Sequence, residues 1–159
     1  MIRTRDYKIE QEEGNRDSGK TFRITEMASE PAEWWSIKTL QGIAAAGVEL
    51  PQEVIAAGSL GIKALQDMPN ATKTKAAMAI LTGLAQIERG LLKELMVEMF
   101  ACVSFVSSSG VERNLQPNDI EEISTRLKLR VQWLEQQFGF SLAAKPSTSD
   151  SAASEVTLQ

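Results

Sequence analysis

Residues Gly14-Asn15-Arg16-Asp17-Ser18-Gly19-Lys20-Thr21 match the spacing of a phosphate-binding P-loop, and no other stretch constrains the fold as much. A P-loop needs a buried strand before the glycines and a helix opening at the Lys-Thr, so that backbone N–H groups and the positive helix end converge on phosphate. Both flanks disagree with that. Upstream, Tyr7-Lys8-Ile9-Glu10-Gln11-Glu12-Glu13 alternates at best and then turns fully polar, whereas a strand under helices on both faces is continuously apolar. Downstream, Thr21-Phe22-Arg23-Ile24-Thr25 alternates polar and apolar with β-branched and aromatic residues, the pattern of a half-buried strand. The octet therefore joins strand to strand. Gly14, Asn15, Asp17, Ser18 and Gly19 all suit turns, so the stretch reads as the tip of a β-hairpin over about residues 6–27. On this reading Lys20 and Thr21 are ordinary strand residues, and Arg16 and Asp17 are solvated turn residues.

With the P-loop set aside, the composition leaves few routes to chemistry. The chain has 159 residues and 43% apolar content, enough for one domain with a core. It has no histidine and one cysteine, Cys102, inside the apolar run Met99-Phe100-Ala101-Cys102-Val103-Ser104-Phe105-Val106. A nucleophilic cysteine needs an activating base, usually histidine, so Cys102 reads as a buried core thiol in a reducing compartment. One cysteine and scattered carboxylates form no metal-ligand set. Glu12-Glu13 and Glu121-Glu122 are adjacent pairs in exposed contexts, and Ser107-Ser108-Ser109-Gly110 offers hydroxyls without a base. The expectation is a non-enzyme with no catalytic residues, no cofactor, no metal and no small-molecule substrate. A formal net charge of −4 lacks the basic excess of a phosphate-gripping protein. Arg126, Lys128 and Arg130 are few and follow acidic residues, so they read as a solvated face and no nucleic acid is expected. Met1-Ile2-Arg3-Thr4-Arg5-Asp6 lacks the apolar core of a signal peptide, and no run has the length of a membrane span, so a cytosolic chain away from membranes is expected.

The rest of the chain reads as helix. Ser29-Glu30-Pro31 carries start signals, and Trp34, Ile37, Leu40 and Ile43 or Ala44 then fall at helical spacing on one apolar face, with Trp35 and Lys38 turned off it. A second helix restarts at Leu50-Pro51 and runs to about Leu65. From Ala71 helical spacing continues through Met78, Leu81, Leu84, Ile87, Leu91, Leu95, Met99 and Cys102 or Val103 to about Ser107, with Gly83 and Gly90 as points for a kink or break. The last helix opens with Asn118 as cap and Asp119, Glu121 and Glu122 in its first turn. Its apolar stripe is Ile120, Ile123, Leu127, Val131 or Leu129, Leu134 and Phe138, and Glu122 and Arg126 form an i,i+4 pair. Gly139 closes it as a left-handed cap. Residues 145–159, small and polar without aromatics, read as a disordered tail. The fold expected is mainly α: about four to five helices over residues 29–142 with an N-terminal hairpin, in a single domain of residues 1–144.

Aromatic residues are the remaining candidates for a site. Trp34, Trp35, Trp133, Phe138 and Phe140 are taken as partner-binding residues, because indole and phenyl rings are enriched where proteins bind proteins. Adjacent Trp34 and Trp35 point about 100° apart on a helix, so only one of them enters its core face.

The run from Asn15 through Met27, with the string Asp17-Ser18-Gly19-Lys20-Thr21-Phe22-Arg23-Ile24, and Ala32-Glu33-Trp34-Trp35 resemble the N-terminus of small proteins of the tail-gene cluster of tailed bacteriophages. Met99-Phe100-Ala101-Cys102-Val103, the stretch from Asp119 to Arg130 and Gly139-Phe140-Ser141-Leu142 are similar to that family in the same order, so the resemblance covers about residues 7–142. These relatives look like tail assembly chaperones. The resemblance implies a helper that binds the tape-measure protein while tail-tube subunits polymerise around it, in the cytoplasm of the infected bacterial host. Apolar helices also allow self-association, and two alternatives stand beside this reading, a structural component retained in the tail and, less favoured, an NTPase using the octet Gly14 to Thr21.

Overall fold

The computed structural model of the chain describes residues 1–50, 52, 55 and 69–139. Strand β1 (Thr4–Lys8) pairs antiparallel with β2 (Thr21–Thr25), β2 with β3 (Val103–Val106), and β3 with β4 (Glu112–Asn114), so one sheet holds four strands in chain order. Helices α1 (Ser29–Ala45), α2 (Asn70–Leu84), α3 (Arg89–Phe100) and α4 (Ile123–Phe138) are the remaining described elements. Four helices with a four-stranded antiparallel sheet make an α+β arrangement, which corrects the mainly α fold expected from sequence.

The N-terminal hairpin forms as its alternation implies. Phe22 and Ile24 are fully buried on the inner face, and Phe22 meets Phe105 of β3 edge to face with centroids 5.8 Å apart. The outer face is polar: Arg23 donates to Asp6 at 2.7 and 3.0 Å and to Glu112 at 2.8 Å.

The second hairpin is what changes the fold class. Residues 71–107 were expected as one helix with a possible break, yet the break falls between α2 and α3, and α3 stops at Phe100. Glu88 restarts the helix by accepting the Leu91 N–H at 3.0 Å. Val103 then stands opposite Ile24 and Phe105 opposite Phe22, so a run that keeps helical spacing extends β2's apolar inner face instead. A short apolar run fits either period, and the strand it pairs with lies about eighty residues earlier.

Helix α1 buries a face rotated from the one its apolar periodicity selects, although Ile43 of that stripe is buried and Leu40 packs against the core. Ala32, Trp35, Thr39, Gly42 and Ile43 are buried, whereas Trp34 is 59% exposed. The buried face is lined partly by small residues because other helices come close to it. A Cβ on Gly42 would lie 2.7 Å from Leu91 Cδ2, and one on Gly83 of α2 would lie 2.7 to 2.9 Å from three side-chain atoms of Ile43. Ile43 is fully buried and has nowhere to retreat. Gly83→Ala is therefore expected to lower stability by about 1 kcal/mol net, overpacking of roughly 1–3 kcal/mol exceeding the helix-propensity gain of just under 1. A fall in Tm of several degrees checks this, and an unchanged or raised Tm contradicts it.

Helix α4 begins at Ile123, later than the Asn118 cap expected from sequence. Asp119 instead folds back on its own loop, accepting the Gln116 N–H at 2.6 Å and pairing with Arg113 through both carboxylate oxygens at 2.5 and 2.6 Å. The far end is as expected: Gly139 adopts φ 68° and donates its N–H to Glu135 O at 2.9 Å.

The core lies between the sheet's inner face and the helices, joining Ile9, Phe22, Ile24 and Val103 to Trp35, Ile43, Leu95, Met99, Leu129 and Trp133. Among the described residues no helix is long and apolar enough to cross a membrane. The helix expected over about 50–65 lies almost wholly outside the described residues. So do Phe140, the boundary at 144 and the tail over 145–159.

Candidate functional site

The 14–21 octet connects β1 to β2, and its polar groups are turned inward on the protein's own chain. Asn15 N donates to Glu12 O at 3.1 Å, Ser18 N to Asn15 O at 3.2 Å, Gly19 N to Ile9 O at 2.9 Å and Lys20 N to Asp17 O at 3.0 Å. Asp17 N donates to Asn15 Oδ1 at 2.9 Å. A phosphate cradle needs such N–H groups convergent and free, and these five are each taken by an acceptor of the chain itself. Gly19 takes φ 79°, which a side chain rarely adopts, so its glycine serves the turn.

Asp17 is the residue whose role differs most from the sequence reading. Expected as a solvated turn residue, it has no exposed surface. Its carboxylate accepts the Glu121 N–H at 3.0 and 3.1 Å, the Glu122 N–H at 2.9 Å and the Lys20 ammonium at 2.7 Å. It therefore anchors the chain where it enters α4, with its negative charge at the positive end of that helix. Burial works to raise this carboxyl's pKa, but Lys20, the two backbone N–H groups and Thr125 outweigh it and hold it down at about 2.

Lys20 is likewise not an ordinary strand residue. Its ammonium donates to Asp17 Oδ1 at 2.7 Å, Glu121 Oε1 at 2.9 Å and Asp119 O at 3.1 Å, which uses all three of its protons. Burial lowers its pKa, and the two carboxylates more than reverse that. Arg16 completes the contact: its Nε donates to Glu122 Oε1 at 2.7 Å and an Nη to Glu121 O at 2.9 Å. Glu122 thus pairs across to the loop, and the i,i+4 pair expected with Arg126 is replaced by Arg126 stacked 4.1 Å from the Phe100 ring centroid. The octet is a clamp between the first hairpin and the last helix.

The aromatic residues divide. Trp35 and Trp133 are buried with centroids 5.0 Å apart, and Phe138 lies 6.2 Å from Trp35 and 6.4 Å from Trp133. Trp35 Nε1 donates to Leu95 O at 3.0 Å. Trp35, Trp133 and Phe138 therefore belong to the core, which corrects their assignment to a partner-binding face. Rings that pack on one another are not available to a second protein. Of the four among the described residues Trp34 alone is exposed, and Phe140 is outside them.

Cys102 is half-buried, with its thiol donating to Glu98 O at 3.7 Å, and burial pushes its pKa up. Among the described residues no group of three His, Cys, Asp or Glu side chains is placed to hold a metal ion. The cleft on the outer sheet face, lined by Thr4, Asp6, Arg23, Thr25 and Glu112, is crossed by the Arg23 ion pairs already described.

Sequence reasoning missed the surface left along α4. Ile123 and Leu127, read as core, are 77% and 48% exposed, while Thr125, Leu129 and Trp133 face inward. The signal that could have shown this is the second stripe formed by Thr125, Leu129 and Trp133, also at i,i+4 spacing. No family model matches the chain, and no curated protein or solved structure does so either.

Proposed function

We propose that the chain is a non-enzymatic tail assembly chaperone of a tailed bacteriophage, working in the cytoplasm of the infected host by binding the tape-measure protein, tail-tube subunits or both. The observation that carries the reading is the ordered set of segments resembling that family. Two of those segments, the octet and the stretch from Asp119, meet through Asp17, Lys20 and Arg16. A stable framework with exposed apolar side chains on its helices, among them Trp34, Met78, Val97 and Ile123, suits a protein that holds another protein without chemistry. Co-purification of the chain with the tape-measure protein, together with the tails made by a deletion phage, tests it. No complex and normal tails would sink the reading. Mass spectrometry of purified particles separates it from a retained structural component, since a chaperone is absent there and a structural part is present in fixed copy number.

Nucleotide binding is expected to be absent. The only ammonium in the octet is fully committed, and carboxylates of Asp17 and Glu121 stand where phosphate would go. Adding ATP or GTP with magnesium at about 1 mM should leave Tm unchanged, because ligand bound only to the folded state would raise it. A clear rise that Lys20→Met abolishes would restore the NTPase alternative.

A further inference from the structure

Ile123, Leu127, Arg130, Leu134 and Gln137 recur along α4 at alternating spacings of four and three, the period of a seam between two helices. The C-terminal half of that stripe is already covered, Leu134 being 1% and Gln137 4% exposed. Its N-terminal half continues the same line into solvent, with Ile123 and Leu127 uncovered. Arg130 of the stripe and Arg126 beside it place two guanidinium groups one helical turn apart. Among the described residues neither Arg126 nor Arg130 meets a carboxylate, although Lys128 on the same helix pairs with Glu12 at 3.2 Å. Arg130 is half-buried and its Nε has no hydrogen-bond partner. Two like charges at i,i+4 with no counter-charge are unfavourable in the free chain, in a protein whose net charge is itself negative.

We infer that the N-terminal half of α4 is a docking surface for an acidic amphipathic helix of a partner protein. Its apolar residues at i, i+3 or i+4 would cover Ile123 and Leu127, and its Asp or Glu side chains would pair with Arg126 and Arg130. The helical period of the seam selects a helix over an extended strand, and the unpaired guanidiniums select the sign of its charge. The inference deepens the tail-assembly reading, on which the helix belongs to the tape-measure protein, while its peptide test stands apart from that reading.

The test uses the full chain and two synthetic helical peptides of about 18 residues with identical leucine positions, one flanked by glutamates and the other by lysines. The glutamate peptide is expected to bind at least about tenfold tighter, to shift the amide resonances of residues 123–130 and Phe100, and to weaken severalfold between about 50 and 300 mM salt. Leu127→Asp should weaken it about tenfold or more, and Arg130→Glu should reverse the preference between peptides. Ile123→Asp, at the most exposed of these positions, gives the same reading should Leu127→Asp fail to fold. Equal binding of both peptides, or no shift at residues 123–130, overturns the surface. A tape-measure complex that survives both aspartate variants also overturns it and leaves the chaperone reading standing. Peptide selectivity without any tape-measure complex keeps the surface and removes the chaperone reading.

Discussion

Asp17→Ala is expected to lower the unfolding free energy by roughly 3–5 kcal/mol, the range for removing one partner of a buried charge pair. The side chain has no exposed surface, so its loss strips the Glu121 and Glu122 N–H groups of their acceptor and leaves the Lys20 ammonium with one carboxylate instead of two. A total stability of about 5–15 kcal/mol for a domain of this kind makes that a large fraction. Urea denaturation measures it, and a midpoint within error of the wild type would refute the role given to Asp17. Asp17→Asn should cost less than alanine, because its one carbonyl oxygen still accepts an N–H, but more than an exposed substitution, because its amide turns a donor toward other donors.

The same residue sets an acid limit on stability. Its carboxyl is lowered from 3.8 to about 2 in the folded chain, so the native state holds it ionised more strongly than the unfolded state does. Its contribution, about 2 kcal/mol, is therefore fully present above pH 3.8 and is lost as pH falls toward 2. Asp119, held low chiefly by Arg113, adds in the same direction. Stability measured from pH 5 down to pH 2 should fall more steeply in the wild type than in Asp17→Asn. Parallel curves would remove Asp17 as the source.

Trp133→Ala carries the second large effect, about 3–5 kcal/mol, the usual range for emptying a buried aromatic site. Trp133 is fully buried, edge to face with both Trp35 and Phe138, and its loss opens a cavity where α4 meets α1. Its buried indole N–H has no hydrogen-bond partner, so Trp133→Phe should lose volume and little hydrogen bonding. Trp35→Phe should lose more than volume alone, because the Trp35 N–H bonds Leu95 O. Trp34→Ala, by contrast, should stay within about 0.5 kcal/mol of wild type. Acrylamide quenching distinguishes the three tryptophans: Trp34 should be readily quenched and Trp35 and Trp133 protected. A stable Trp35→Ala together with a destabilised Trp34→Ala would reverse the assignment of the two faces of α1.

That assignment shows where sequence patterning reaches its limit. Trp34, Ile37, Leu40 and Ile43 or Ala44 form a more apolar stripe than Ala32, Trp35, Thr39 and Gly42, yet the second stripe is buried throughout. Of the first, Ile43 is buried, Leu40 partly covered and Trp34 exposed. Apolar periodicity counts side-chain hydrophobicity, while the buried side of α1 is chosen by how closely other helices approach, which favours glycine and small residues. On α4 the same ambiguity leaves Ile123 and Leu127 outside, where they become the surface proposed for a partner. On both helices the stripe read from sequence is only partly the buried one: Ile43, Leu129, Leu134 and Phe138 are core, whereas Trp34, Ile123 and Leu127 are exposed.

What the sequence determined by itself was local: the alternation of β2, the strand-to-strand setting of the octet that separates it from a P-loop, the helical character of residues 29–45 and 123–138, and the left-handed glycine at position 139. Each follows from residues within a few positions of one another. Tertiary structure decided the second hairpin, the start of α4 and the meaning of Asp17, because the partners involved lie about eighty to one hundred residues apart. Val103 is a strand residue because Ile24 stands opposite it. Asp17, polar and set among turn residues, becomes a buried anchor because a helix from the other end of the chain brings two N–H groups to its carboxylate.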